Sequence, residues 1–171
     1  DTKSSNHSNN STPLGAPQEL PKKKRTLSAD ERAERILLAH MLHNPQVIDI
    51  AISTISDGPC FIRDAYEAAY VRLMGYYEDY PEGDYQRFLE VLNDGELRKI
   101  VMEAALSERD PEHETEEVMD CLRHIRKYRI EQQIGQKLHE AKEAEKMTDI
   151  TKALQLAQEA IQLKKSLVNF Q

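Results

Sequence analysis

Apolar residues recur at intervals of three and four along most of this chain, which predicts amphipathic helices rather than strands. The first run starts sharply at Ser28-Ala29-Asp30-Glu31. That is a capping-box pattern, with Ser28 as N-cap and Glu31 three positions on. The run continues to about residue 43, with Ala33, Ile36, Leu37, His40 and Met41 near one face. Asn44-Pro45 then reopens a helix, because proline suits the first helical position. Its apolar side is Val47, Ile48, Ala51, Ile52 and Ile55. This run is rich in β-branched residues, but its spacing still favours helix. Asp57-Gly58-Pro59 marks a turn. A third helix is predicted over residues 62–78, with Tyr66, Ala69, Tyr70, Leu73, Met74 and Tyr77 inward.

Pro81-Glu82-Gly83-Asp84 breaks the chain again. Asp84 is placed to cap a short helix carrying Phe88, Leu89 and Leu92. Asn93-Asp94-Gly95 separates it from another with Leu97, Ile100, Val101, Ala104 and Ala105. There is no internal repeat.

From residue 111 to about 146 nothing stops a helix, so one helix of roughly 50 Å is predicted. Its apolar stripe changes sides. Val118, Cys121, Leu122 and Ile125 share one face. Ile130, Ile134, Leu138 and Ala141 share another, rotated by roughly 165°. One core cannot bury both halves of a straight helix. The first half therefore belongs to a bundle and the second to a separate hairpin. Gly135, at about 1 kcal/mol relative to alanine, marks the joint as a place to bend or fray.

Met147-Thr148-Asp149 supplies the hairpin turn, and the last helix is predicted over residues 150–168. It carries two adjacent apolar rows. One is Ile150, Leu154, Ala157 and Ile161; the other is Leu156, Ala160, Leu163 and Leu167. The facing arm offers one row, so part of this surface is left as a candidate interface. We expect Leu154 and Ile161 to pack with Ile134 and Leu138 as the hairpin core. Leu156, Leu163 and Leu167 are then the partner-binding anchors, with Lys164 and Phe170 at the rim. Spacing alone leaves the two rows interchangeable.

Residues 1–25 are filled by Ser, Asn, Thr and Pro and end in Pro21-Lys22-Lys23-Lys24-Arg25. Too few apolar residues are present to offset ordering, so a disordered linker is expected. The predicted organisation is a linker at 1–26, a bundle of about five to six helices at 27–128 and a hairpin at 129–171: an all-α chain. It opens at Asp1 rather than a methionine, as a piece of a longer protein would.

The net charge of -7 opposes strong direct binding of nucleic acid, which needs a basic face. Cys60 and Cys121 lack metal-type spacing, and free thiols in a reducing, cytosolic setting are the simplest reading. No run approaches the ~18 apolar residues of a membrane span.

Little catalytic chemistry is visible. There is no phosphate-binding glycine loop, nucleophile elbow or zinc-type cysteine pair. His40 and His43 have a spacing a metal could use, but no third ligand is evident, and packing explains them, like His113 and His124. Glu116-Glu117, and Asp79 with Glu82, sit in charged helix ends and turns where solvation accounts for them. Tyr76, Tyr77 and Tyr80 beside Arg72 could stack bases, but the neighbouring Glu78, Asp79, Glu82 and Asp84 repel phosphate and favour core packing. Arg123, Arg126, Lys127 and Arg129 read as a solvated face balanced by nearby acids. A contact with an acidic partner is the alternative.

The segment RAERILLAHMLHNP at residues 32–45 resembles the first helix and following break of the N-terminal domain of bacterial replicative helicases, as does DAYEAAY at 64–70. The C-terminal domain of bacterial DNA primase shares this pattern. The preceding linker, the terminal hairpin and the missing ATPase phosphate loop select the primase family over the helicase. The resemblance covers about residues 27–171. It implies a helicase-interaction module: a helicase-like bundle that modulates the helicase, and a terminal hairpin that docks on the helicase N-terminal domain. It also implies that this fragment is not an enzyme and needs no cofactor of its own. The catalytic chemistry, with zinc and magnesium, would lie in upstream domains of the parent primase, at the bacterial replication fork in the cytoplasm. A generic helical adaptor and a helicase N-terminal domain are the alternatives.

Overall fold

The computed structural model describes residues 26–55 and 58–168. The expected linker at 1–26 therefore lies almost wholly outside the described residues. Within them the chain forms seven helices and no strand: α1 (Ala29–His43), α2 (Gln46–Thr54), α3 (Asp64–Asp79), α4 (Tyr85–Val91), α5 (Gly95–Ala105), α6 (Glu114–Lys146) and α7 (Ile150–Val168). No described helix is long and apolar enough to cross a membrane.

The boundaries follow side-chain caps. Ser28 accepts from the Glu31 amide at 3.2 Å, Asp84 from the Arg87 amide at 2.8 Å, and Asp94 from the Glu96 and Leu97 amides at 2.9 and 3.1 Å. Each occupies one or two of the N-terminal donors that a helix leaves without a partner. Asn44 replaces a conventional cap between α1 and α2, its Oδ1 accepting from the Gln46 amide at 3.1 Å. Pro45 already has helical backbone one residue before α2.

α1 is the hub and packs on α2, α3, α5 and α6. Leu37, Leu38, Met41 and Leu42 meet Val47, Phe61, Leu73, Phe88, Val101, Val118, Leu122 and Ile125 in one continuous core. That core stops at Ile125, where the first apolar stripe of α6 ends.

Two buried polar groups lock the bundle. Glu34 is fully buried. Its Oε1 accepts from the Ile62 and Arg63 amides at 2.6 and 2.8 Å, and its Oε2 pairs with the Arg63 guanidinium. Arg129 of α6 donates to the Phe61 carbonyl. The stretch before α3 is thus tied to α1 and α6 at once. His40 is also fully buried, with Nδ1 3.2 Å from Glu114 Oε1 and Nε2 2.6 Å from Glu117 Oε2. The same carboxylates accept from Asn44 Nδ2 at 2.7 Å and from the Asp110 amide at 2.7 Å. His40 and Asn44, both in the 32–45 segment, therefore hold the first turn of α6.

α6 runs 33 residues without a break. The fray expected near Gly135 is absent. A single glycine costs about 1 kcal/mol in a helix, and the adjacent Ile134 is buried in the hairpin.

Candidate interaction surface

Beyond Ile125 the α6 helix packs on α7. Ile134, Ala141 and Ala144 are buried on one side, and Ala153, Leu156 and Ala160 on the other. Four of these six are alanines, so the two backbones approach closely. Lys137 of α6 pairs with Glu159 of α7. That pairing, with Gln155 assisting, holds the Glu159 carboxyl below its usual range. At the turn, Thr148 adopts φ 64°, the left-handed region that non-glycine residues rarely visit. Asp149 then caps α7, accepting from the Lys152 amide at 3.1 Å.

This packing reverses the expected roles of the two rows. Leu156 is buried against α6, and Leu163 and Leu167 are half-buried on the same face. Leu156 thus belongs to the hairpin core, and Leu163 and Leu167 are partly covered beside it. Leu154 and Ile161, expected in the core, are 60% and 53% exposed. Ile134 is core as expected, whereas Leu138 is about a third exposed, at 37%. Lys164 is exposed, and Phe170 lies outside the described residues. The signal that could have chosen the inner row was Ala153, at helical spacing with Leu156 and Ala160. Together these three make a face narrow enough to meet Ala141 and Ala144.

The outward row is a coherent surface. Ile150 and Val168, 55% and 71% exposed, extend Leu154 and Ile161 along the whole of α7, and Met147 is open at the turn. Lys164 and Lys165 follow Ile161 by three and four positions, one on each side of the row. Neither has an ion pair among the described residues. Glu159, the single acidic residue of α7, pairs with Lys137 instead of lying in this row.

The remaining candidates are structural. His43 does not converge with His40; its Nε2 lies 3.3 Å from the Ala105 carbonyl and its ring packs on Tyr85. His113 bonds Asp110, and His124 bonds Asp30. Tyr76 is buried among Tyr77, Tyr80 and Phe88, with ring centroids 5.3–5.4 Å apart, while Arg87 covers Tyr80. Tyr76 is therefore core, with Tyr77 packed against it, while Tyr80 is exposed at the edge. Arg123 pairs with Asp120 and Arg129 with the Phe61 carbonyl, so these two basic residues are engaged within the chain. Burial pushes the Cys60 and Cys121 thiols up to about 12, which leaves little thiolate for nucleophilic or metal chemistry.

No protein-family profile matches the chain. It is similar to bacterial DNA primases. It is 36% identical over 105 residues to the DNA primase of Halalkalibacterium halodurans, covering 61% of this chain and 17% of that protein. It is 28% identical over 144 residues to the DNA primase of Geobacillus stearothermophilus, covering 84% of this chain and 24% of that protein. The chain thus spans about a quarter or less of the length of these relatives. A solved structure described as the DnaB binding domain of DnaG (P16) from Bacillus stearothermophilus, residues 452-597, matches with 28% identity and a TM-score of 0.48, covering 85% of this chain and 98% of that one.

Proposed function

We propose that this chain is the helicase-interaction module of a bacterial DNA primase and works as a docking element, not as a catalyst. The observation that carries this reading is the exposed apolar row of α7, Ile150, Leu154, Ile161 and Val168, on a hairpin that stands beyond the bundle core. The sequence kinship with DNA primases supplies the context. Helix-on-helix recognition uses anchors at this spacing. In this reading the row lies against helices of the N-terminal domain of the replicative helicase, with Lys164 at its edge. The bundle, residues 27–128, modulates the helicase, and the hairpin, 129–171, docks. Primer synthesis, with its zinc and magnesium, belongs to other parts of the parent protein, at the cytoplasmic replication fork.

Calorimetric titration with a helicase N-terminal domain tests this reading. Leu154→Ala and Ile161→Ala are each expected to weaken binding by about 1–2 kcal/mol while leaving helicity unchanged, as truncation of an interface anchor does. Unchanged affinity in the double variant would refute docking through this row. Single-stranded DNA is expected to bind weakly, without the steep salt slope of a phosphate-neutralising surface.

A further inference from the structure

A second apolar surface lies on the bundle, between α2 and α3. It is a groove of about 290 Å³ whose apolar lining includes Ile48, Ile52, Met74 and Tyr77, with Asp49 and Glu78 on its rim. Ile52 is half-exposed. Val71, half-exposed and three residues before Met74, extends the apolar surface along α3. No basic side chain lines the groove. Asp49 and Glu78 have no ion pair or side-chain hydrogen bond among the described residues.

This groove and the outer face of α7 are complementary in two independent respects. One presents apolar side chains with two unpaired carboxylates and no cation. The other presents apolar side chains with two unpaired ammonium groups, Lys164 and Lys165, and no anion. Within one chain α7 packs on α6 and does not occupy the groove. We propose that the α7 row of one copy seats in the α2–α3 groove of a second copy, with Lys164 and Lys165 against Asp49 and Glu78. Ile161 and Leu154 enter beside Ile52 and Met74. The contact joins two different surfaces, so two copies that exchange it reciprocally close a dimer, whereas a single exchange propagates. The same α7 row serves both contacts, so self-association withdraws the hairpin from any other partner. Its occupancy then depends on local concentration and on salt.

Sedimentation of the full 171-residue chain over a wide concentration range tests this. The weight-average mass is expected to rise above 19.7 kDa with concentration, and to fall back when salt is added. The paired reversal Asp49→Lys with Glu78→Lys is expected to leave the chain monomeric. So is Lys164→Glu with Lys165→Glu. Mixing the two variants restores attraction at both contacts and is expected to restore association. All four residues are exposed, and unchanged circular dichroism and melting temperature verify folding. A chain that stays monomeric throughout, association indifferent to either reversal, or a mixture that fails to associate would each overturn the proposal. The groove variant keeps α7 intact and is expected to bind a helicase N-terminal domain as the natural chain does. Loss of helicase binding by the natural chain would count against the docking reading alone, and loss of self-association against this one alone.

Discussion

The imidazole of His40 on α1 lies 2.6 Å from the Glu117 carboxylate on α6, and its other nitrogen lies 3.2 Å from Glu114. This contact fixes the start of the helix that continues into the hairpin. His40→Ala removes the donor and leaves two carboxylates crowded at a partly buried site. A loss of about 2–3 kcal/mol in urea unfolding is expected, in the range for hydrogen bonds to charged groups. A loss below about 0.5 kcal/mol, the range of ordinary surface substitutions, would contradict the clamp.

Glu114 gives the clamp a pH dependence. Burial acts to raise its pKa, but the hydrogen bonds from Asn44 and His40 outweigh this and set it below the ordinary 4.5. A depressed carboxyl contributes stability that is present above its unfolded pKa and lost as pH falls through the folded one. Stability of the natural chain should therefore decline as pH drops below about 4.5. Glu114→Gln should show a shallower acid limb. Identical acid limbs in the two proteins would rule this contribution out.

Glu34 is the second polar lock, with three donors around a fully buried carboxylate. Glu34→Ala leaves two amides without their acceptor and removes the Arg63 ion pair, leaving the guanidinium its bond to Ser28 Oγ. Breaking a buried pair from one side costs about 3–5 kcal/mol, and here Arg63 is partly solvated, so the lower end is expected. Amide exchange should speed up first in the stretch before α3, since Glu34 holds the Ile62 and Arg63 amides directly. Unaltered protection at those two amides would argue against the assignment.

Gly83 is required by close approach. A β-carbon there would stand 2.3 Å from the Tyr76 hydroxyl oxygen. The Tyr76 ring is buried and packs on Tyr77, Tyr80 and Phe88, so moving it aside disturbs that cluster. Gly83→Ala is expected to cost about 1–3 kcal/mol, as overpacking does. Thermal unfolding of this variant beside Gly75→Ala, where a β-carbon meets nothing within 4 Å, provides the control. Equal melting temperatures would show that the tyrosine cluster yields.

The two rows of α7 separate stability from binding. Leu156→Ala opens the α6–α7 contact and is expected to cost roughly 2–5 kcal/mol in hairpin stability. Leu154→Ala alters an exposed position and should fall within about 0.5 kcal/mol of the natural chain. Hydrogen exchange on α7 reports both. The reverse ranking would restore the inward placement of Leu154.

By itself the sequence determined the elements and their order. Ser28, Asp84 and Asp94 act through bonds to amides two or three residues on, so a local pattern specifies them. The 3.6-residue period marks the apolar side of each helix, and the change of stripe between Ile125 and Ile130 foretold that α6 serves two packing environments. Only the tertiary structure decided which α7 row faces inward. Both rows have the same spacing and similar hydrophobicity, and only the small Ala153 beside Leu156 and Ala160 marks one of them within α7 itself. The choice was made by Ala141 and Ala144 on the facing helix and by the left-handed Thr148 in the turn. The partners of Glu34 and His40 were equally hidden. They lie 28 and 29 residues and 74 and 77 residues away, and no local rule relates a buried charge to a donor or acceptor delivered by a distant helix. The α2–α3 groove belongs to the same class, because its carboxylates and apolar lining come from two helices and become one surface only when those helices pack.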